Sequence, residues 1–413
     1  MHIIFLGSAV SKRQINQGIR QSLSAAGSQF QLHMLKELNR CEGVELEVLS
    51  IVAMPPFPRH KALWAREHRE ALGDGLAVVQ VPFFNVPLLK QLTQSYALFR
   101  YAKKRIRKDS VVFSYNLYFQ AGCALVKLHN RYGVKAAALL ADLPIDDDYR
   151  RRGLARRLRQ LYNQVAERNI RKCPNLVVLN EEAVRLYAAP GARYLVMEGG
   201  VSPQEYFGDL PSGVRSSPDG RRHICYAGTL NEYGGVWAAV SAMELVTDQD
   251  IVLDIYGTGA LREKIMRYVE EHSNVFFHGT LAQEEVIALE KRAWLLLNPR
   301  PVEDPIARVT FPSKIFEYMA SGTPVLTTRL NGFTPEYSDK MFFASGSEPK
   351  ILAAWINRIA RLPERDLRRM GERAREFVLR EKSWTVQVRK IHEFLLDGGE
   401  DGNLWKTIKQ NIR

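Results

Sequence analysis

Cysteine is scarce in this chain. Its 413 residues include four, Cys41, Cys123, Cys173 and Cys225, and no two lie close enough to form the paired spacings of zinc and redox motifs. That excludes a disulfide-stapled scaffold, and the four read as reduced core thiols of a cytosolic protein. Long apolar runs are missing too. No window reaches the ~18 apolar residues that a spanning helix needs, and MHIIFLGSAV at the start lacks the basic segment and the length of a signal peptide. A soluble or peripheral protein is expected. Acidic residues are few in one half only. Residues 1–200 hold 16 Asp and Glu against 30 Lys and Arg, a surplus of +14, whereas residues 201–413 hold 29 against 28. Only the first half is therefore expected to face a polyanion or an anionic membrane.

What is present is globular. Hydrophobic residues make up 46% of the chain, which excludes a disordered chain and a fibre, and at about 150 residues per domain the length fits two or three domains. Short apolar runs rich in β-formers alternate with longer amphipathic stretches, the pattern of parallel sheets covered by helices on both faces. The runs predict strands at 2–7, 44–52, 77–83, 111–116, 134–141, 175–180 and 192–198, then at 223–228, 251–257, 274–279, 294–299, 324–328 and 341–345. Between the two series, 208–222 (GDLPSGVRSSPDGRR) has the Gly, Ser, Pro and charge of a linker. The expected organisation is an N-terminal domain 1–207, a linker 208–222, a second domain 223–382, and a C-terminal helix and tail 383–413 that can pack back on the first domain. Both domains read as Rossmann-like α/β units facing a central cleft, with ligands at the carboxyl ends of their strands.

The segment TFPSKIFEYMASGTPVLTT (310–328) carries the most chemistry. A polar loop leads into a short helix, Ser321-Gly322-Thr323-Pro324 stops it, and a buried strand follows. Free backbone N–H groups at such a helix start suit a diphosphate, and Glu317, over a turn further in, can accept hydrogen bonds from a ribose diol. Alternatively, Glu317 and Lys314 are simply solvated helix residues. This segment resembles the nucleotide-sugar site of the GT-B-fold, retaining glycosyltransferases of family 4. The likeness continues through Tyr226-Ala227-Gly228-Thr229-Leu230 with Gly234-Gly235, through Asp254-Ile255-Tyr256-Gly257-Thr258-Gly259, through Asn274 to Gly279 and through Leu297-Asn298-Pro299. Gly199-Gly200-Val201 with Phe207 is similar to the family's hinge. The resemblance implies a donor site built from Glu317, Ser313, Phe311, Gly228, Thr229 and Gly257.

Two departures stand out. The family has two glutamates seven residues apart; Glu317 matches the second, while the first position is Val309, leaving Glu303 or the amides of 309–311 to face the sugar. The family also places cations after the first strand of the second domain, and 229–235 (TLNEYGG) has none. Lys314, Arg308 and Arg300 are the substitutes for neutralising the diphosphate, with loop solvation the alternative for the two arginines.

On the first domain, Asp142 ends a buried strand and resembles the strand-end carboxylate of some bacterial polysaccharide transferases. It can orient an acceptor hydroxyl or take its proton, or it can cap the turn that follows. Gly7 and Ser8, with the small residues 25–28, resemble the family's acceptor-framing loops. Asp146-Asp147-Asp148 fits a helix start better than a metal site, so no metal and no cofactor are expected. Basic residues concentrate in 98–108 and 150–172. Their apolar stripes, Leu98, Phe99, Tyr101 and Ile106, and Leu154, Leu158, Leu161 and Val165, are expected to pack on the core, leaving the cationic faces for anionic lipid.

The resemblance implies a metal-independent, retaining transfer of a sugar from a nucleotide diphosphate donor. The acceptor would be a glycan or lipid-linked molecule in bacterial surface polysaccharide assembly, with Asp142 and Lys314 in the catalytic roles and the protein peripheral at the inner face of the membrane. Alternatives are an inverting transferase, a nucleotide-sugar epimerase, and a non-catalytic basic protein for membrane or nucleic acid. Nucleic acid is disfavoured because aromatic–basic recognition motifs are missing.

Overall fold

The computed structural model describes residues 1–10, 25–87, 89–145, 153–206 and 219–397. Asp146-Asp147-Asp148, the arginines at 150–152, Phe207, most of the expected linker and the tail from 398 onward lie outside the described residues. The chain divides into two compact units, Met1–Met197 with Gln387–Arg413, and Glu198–Val386.

The first unit is laid out as β1 (His2–Gly7), α1 (Ala25–Arg40), β2 (Glu45–Ser50), β3 (Trp64–Ala65), β4 (His68–Gly73), β5 (Leu76–Gln80) and β6 (Phe83–Phe84). It continues with α2 (Leu89–Lys103), β7 (Ser110–Tyr115), α3 (Phe119–Tyr132), β8 (Lys135–Leu140), α4 (Gly153–Lys172), β9 (Asn175–Val178), α5 (Glu181–Tyr187) and β10 (Arg193–Val196). Eight of these strands form one sheet in the order β10-β9-β8-β7-β1-β2-β5-β4, and β3 pairs with β6 apart from it. All neighbours in the eight-stranded sheet are parallel except β4 against β5. β1 and β7 are buried at every position, which is why their sequences are continuous apolar runs rather than alternating ones. The run analysis missed β4, HREALG, because an edge strand with mostly exposed side chains carries no apolar signal.

One sequence expectation is corrected. Helix α4 does not bury Leu154, Leu158 and Leu161, which are 71%, 46% and 57% exposed. It packs instead through Asn163, Ala166, Asn169 and Ile170. The reason is close approach to α3: a Cβ on Gly122 would lie 2.5 Å from Asn169 Nδ2, so small and amide side chains fit there and leucines do not.

The second unit contains β11 (Arg222–Ala227), α6 (Val236–Ala242), β12 (Ile251–Tyr256), α7 (Arg262–Glu271), β13 (Val275–Gly279), α8 (Gln283–Arg292) and β14 (Leu295–Asn298). Then come α9 (Pro305–Val309), α10 (Lys314–Ala320), β15 (Val325–Thr328), β16 (Phe342–Ala344), α11 (Pro349–Ile359) and α12 (Glu364–Glu381), after which α13 (Trp384–Leu396) passes from the second unit into the first. Its six-stranded sheet, β13-β12-β11-β14-β15-β16, is parallel throughout. Ile224, Leu253, Ile255, Leu295 and Leu297 pack one of its faces into the core.

The division at Met197 precedes the expected linker because the segment from Glu198 onward is tied into the second unit. Val201 forms a parallel bridge with Ser383. Beside it Lys382 Nζ lies 3.0 Å from both oxygens of Glu198 and 2.9 Å from Glu336, with Lys382 and Glu198 only 4% and 6% exposed. From Gln387 the last helix belongs to the first unit, where Arg193 lies over the Phe394 ring and donates to Asp397 O at 2.8 Å.

Burial alone would lower the Lys382 ammonium, yet Glu198 and Glu336 hold it above its ordinary value. Removing one partner of such a pair leaves a buried charge uncompensated. Glu198→Ala is expected to cost about 3 kcal/mol in a denaturant titration, while Glu336→Ala, at the half-exposed end, costs less. A loss below about 1 kcal/mol for Glu198→Ala would show that the pair contributes little.

Candidate functional sites

In an open α/β sheet, ligands bind where the strand order reverses, at the carboxyl ends of the two strands concerned. In the first unit that point lies between β1 and β7, and a cavity of about 430 Å³ opens there. Gly7, Ser8 and Asp142, the three residues expected on the acceptor side, all line it. Gly7 is required by close packing: a Cβ would stand 2.5 Å from Gln31 Oε1. Gln31 in turn accepts from Ser8 N at 3.0 Å and donates to Ser8 Oγ at 3.2 Å, which fixes the loop after β1. Across the cavity Tyr118 and Tyr162 stack at 5.8 Å, Tyr162 donates to Gln120 at 2.9 Å, and the buried Ser28 hydroxyl has no partner. Asp142 is held by Asn116, whose Nδ2 donates to Oδ2 at 3.1 Å. Burial raises the Asp142 carboxyl, and the Asn116 hydrogen bond opposes the rise. Amides, aromatic faces and one carboxylate suit neutral hydroxyl-rich ligands. Gln31, Asn116, Gln120 and Tyr162 were not singled out in the sequence, where Asn116 reads as the last residue of the run 111–116.

The second unit reverses its strand order between β11 and β14. The glycines here serve packing first. Gly257, with φ 136°, would put a Cβ 1.8 Å from Gly228 O, and Gly235, with φ 75°, would put one 1.8 Å from Pro299 O. The turn after β11, including Gly228 and Thr229, therefore sits tightly against the ends of β12 and β14. Arg300, directly after β14, lies with its guanidinium 5.4 Å over the Tyr233 ring of that turn. Its Nη1 is buried without a hydrogen-bond partner, and burial lowers its pKa. A cation thus stands beside the turn that has none in its own sequence.

The residues of 308–317 separate into different surroundings. Phe311 has its side chain in an aromatic cluster with Phe316, Phe333 and Tyr337 at 4.9, 5.2 and 5.8 Å, so only its backbone is available to a ligand. Val309 is buried, whereas Ser313, Arg308 and Glu303 are exposed. Helix α10 is seven residues long. Lys314 does not stand free: its Nζ is 2.6 Å from Glu317 Oε2 and 3.3 Å from Glu290 Oε1. Burial would lower this ammonium, but the two carboxylates hold it above its ordinary value. Glu290, on α8 and fully buried, was missed by the sequence reading because a glutamate inside an amphipathic helix reads as a surface residue. Burial, with Glu317 adding and Lys314 opposing, pushes its carboxyl up to about 7. No group of three or more metal-ligating side chains occurs among the described residues.

Residues 221–361 match the family described as Glycosyl transferases group 1, and no curated protein matches the chain. Among solved structures, the chain is similar to sucrose-phosphate synthase from Thermosynechococcus elongatus, with TM-score 0.68 and 14% identity over 95% of this chain and 98% of that one. It is similar to the lipopolysaccharide outer core galactosyltransferase WaaB in its apo form, with TM-score 0.65 and 14% identity over 96% and 99%. It is also similar to Alr3699/HepE of Anabaena in complex with UDP, with TM-score 0.64 and 14% identity over 96% and 100%. Identities this low speak for the fold, which is α/β with two Rossmann-like, parallel-sheet domains. The chain thus has the two-domain GT-B fold, and residues 221–361 of it match the group 1 glycosyltransferase model.

Proposed function

We propose that this protein is a metal-independent, retaining glycosyltransferase of the family 4 kind. It moves a sugar from a nucleotide diphosphate donor on the second unit to a glycan or lipid-linked acceptor in the cavity of the first, during surface polysaccharide assembly. The observation that carries the donor assignment is Arg300, whose Nη1 is buried without a hydrogen-bond partner at the strand-order reversal of the family-matched domain. A diphosphate leaves more readily when a fixed cation meets its developing charge, and in this reading Arg300 does so without a metal. Retention follows the family resemblance. HepE, a protein of the same fold, holds UDP, which makes a uridine nucleotide the first probe.

Lys314 takes a different part from the one its sequence position implied. Fixed between Glu290 and Glu317, it orients Glu317 toward the ribose diol instead of meeting the phosphates. On the acceptor side, the hydroxyl oxygen bonds to the anomeric carbon on the same face that the diphosphate leaves, which retains the configuration, and its proton passes late to Asp142. The bond from that carbon to the diphosphate breaks, and its electron pair leaves with the nucleotide.

The exposed face of α4 supports peripheral membrane contact. Leu154, Leu158 and Leu161 stand in solvent among Arg156, Arg157 and Arg159. A groove between α3 and α4 is lined further along by Lys127, Arg131, Arg168 and Lys172. Apolar side chains flanked by cations suit the surface of an anionic bilayer.

Three measurements follow. UDP is expected to raise the thermal midpoint in excess EDTA, and Arg300→Ala to weaken its binding at least about tenfold, or about 1.4 kcal/mol. Unchanged UDP affinity in that variant would move the diphosphate elsewhere.

The second concerns Glu290. The folded chain keeps its proton up to about pH 7, whereas the unfolded chain releases it near 4.5. The folded state therefore binds more protons in that window, so stability falls as pH rises through it. Glu290→Gln should flatten this fall; an unaltered slope would contradict the buried carboxyl.

Finally, co-sedimentation with anionic vesicles should exceed that with neutral ones and weaken with salt. It should drop when Leu154, Leu158 and Leu161 are changed together to Asn. Equal binding by that variant would exclude α4 as the contact.

A further inference from the structure

Asn116 combines two features that are rarely found together. Its backbone has φ 58°, the left-handed region that costs most residues ~1 kcal/mol and suits glycine and asparagine. It is also only 6% exposed, with its side chain fully engaged. Oδ1 accepts from Ala141 N at 2.8 Å and from Asp142 N at 3.0 Å, while Nδ2 donates to Asp142 Oδ2 at 3.1 Å. The backbone is tied down as well, since Asn116 N donates to Leu139 O at 2.8 Å and its carbonyl accepts from Ser114 Oγ at 2.9 Å. Four of these bonds continue the β7–β8 pairing one step past the ladder, the fifth ties Asn116 to Ser114 on β7, and one of the four ends on the Asp142 carboxylate in the cavity. A glycine would satisfy this backbone with less strain, so the backbone alone does not account for asparagine here. The side chain does.

We infer that Asn116 is a positioning residue that fixes the Asp142 carboxylate, in place and ionised, for its encounter with the acceptor hydroxyl. The inference rests on the role given to Asp142 above and extends it to a residue that touches no substrate itself. The amide N–H bonds best to the charged form of the carboxylate, which is the form able to take a proton. Among the described residues, the other titratable groups lining the cavity are Tyr115 on β7, Tyr118 at the start of α3, Tyr162 on α4 and Lys90 on α2. Burial raises Tyr115 and pushes Tyr162 up to about 12. Lys90, which burial lowers, donates to Met54 O. Asp142 is therefore the group in the cavity that titrates on the acid side.

The test uses the full chain and two variants. Asn116→Gly keeps the left-handed backbone and removes all three side-chain bonds. Asn116→Asp keeps an acceptor for the two backbone N–H groups and tolerates the same backbone, but replaces the amide donor with a second carboxylate. The readout is the titration of Asp142 by carbon NMR with aspartate labelled at Cγ, assigned with Asp142→Asn, alongside the thermal midpoint and turnover against pH. The expected result is that Asp142 titrates at higher pH in Asn116→Gly and higher still in Asn116→Asp. The acid limb of turnover should move with it, and kcat should fall at least about tenfold in Asn116→Gly with the donor KM unchanged. Asp142 titrating at the same pH in both variants would overturn the inference, whatever happens to the midpoint. Should Asn116→Gly fail to fold, Asn116→Asp alone decides the direction. If Asp142→Asn turns over like the parent, the acceptor role of Asp142 fails, while the titration still reports whether Asn116 holds the carboxylate.

Discussion

A parallel sheet covered on both faces leaves its strand ends as the place where the backbone can meet a ligand, and nearly everything chemical in this protein sits at those ends. β1 and β7 in the first unit and β12 in the second are buried along their whole length, so no side chain in their middles can touch substrate. Gly7 and Ser8 follow β1, Asn116 follows β7, Asp142 follows β8, Gly228 follows β11 and Arg300 follows β14. The sheet acts as a fixed support, and the reversal of strand order opens the space that packed helices close elsewhere.

The same constraint explains how this chain departs from the pattern it resembles. The turn 229–235 is packed so closely against the ends of β12 and β14 that Gly235 and Gly257 have no room for a side chain. A cation can be supplied from the adjacent strand end, and Arg300 supplies it over Tyr233. Lys314 looked equally suitable in the sequence. Two carboxylates claim it, however, and one of them, Glu290, lies on a helix 24 positions earlier in the chain.

Strands were legible because burial on both faces writes a continuous apolar run, and every run assigned from the sequence became a strand or part of one. The exposed edge strand β4 was not legible, since nothing in HREALG distinguishes it from a loop. Helix faces were read by periodicity, and α4 shows how that fails: its leucines are periodic, yet Asn169 and Gly122 set the packing distance and turn the leucines outward. The strand-end position of Asp142 was legible, because the run 134–141 ends just before it. Asn116 and Glu290 were not, because what distinguishes them is a backbone angle and a tertiary neighbour, and neither has a sequence signature.

The placement of charge follows from the same geometry. The first half carries the surplus of +14, and among the described residues that line the cavity at the end of β1 and β7 there is one lysine, Lys90, which donates to a backbone carbonyl. The described part of α4, by contrast, presents arginines beside leucines left in solvent. Charge on the covering helices acts over a Debye length and needs no specific geometry, whereas the amides and tyrosines of the cavity act only in contact. A protein that approaches a charged surface yet selects a neutral, hydroxyl-rich group would separate the two functions in this way, with cations outside and hydrogen-bonding groups within.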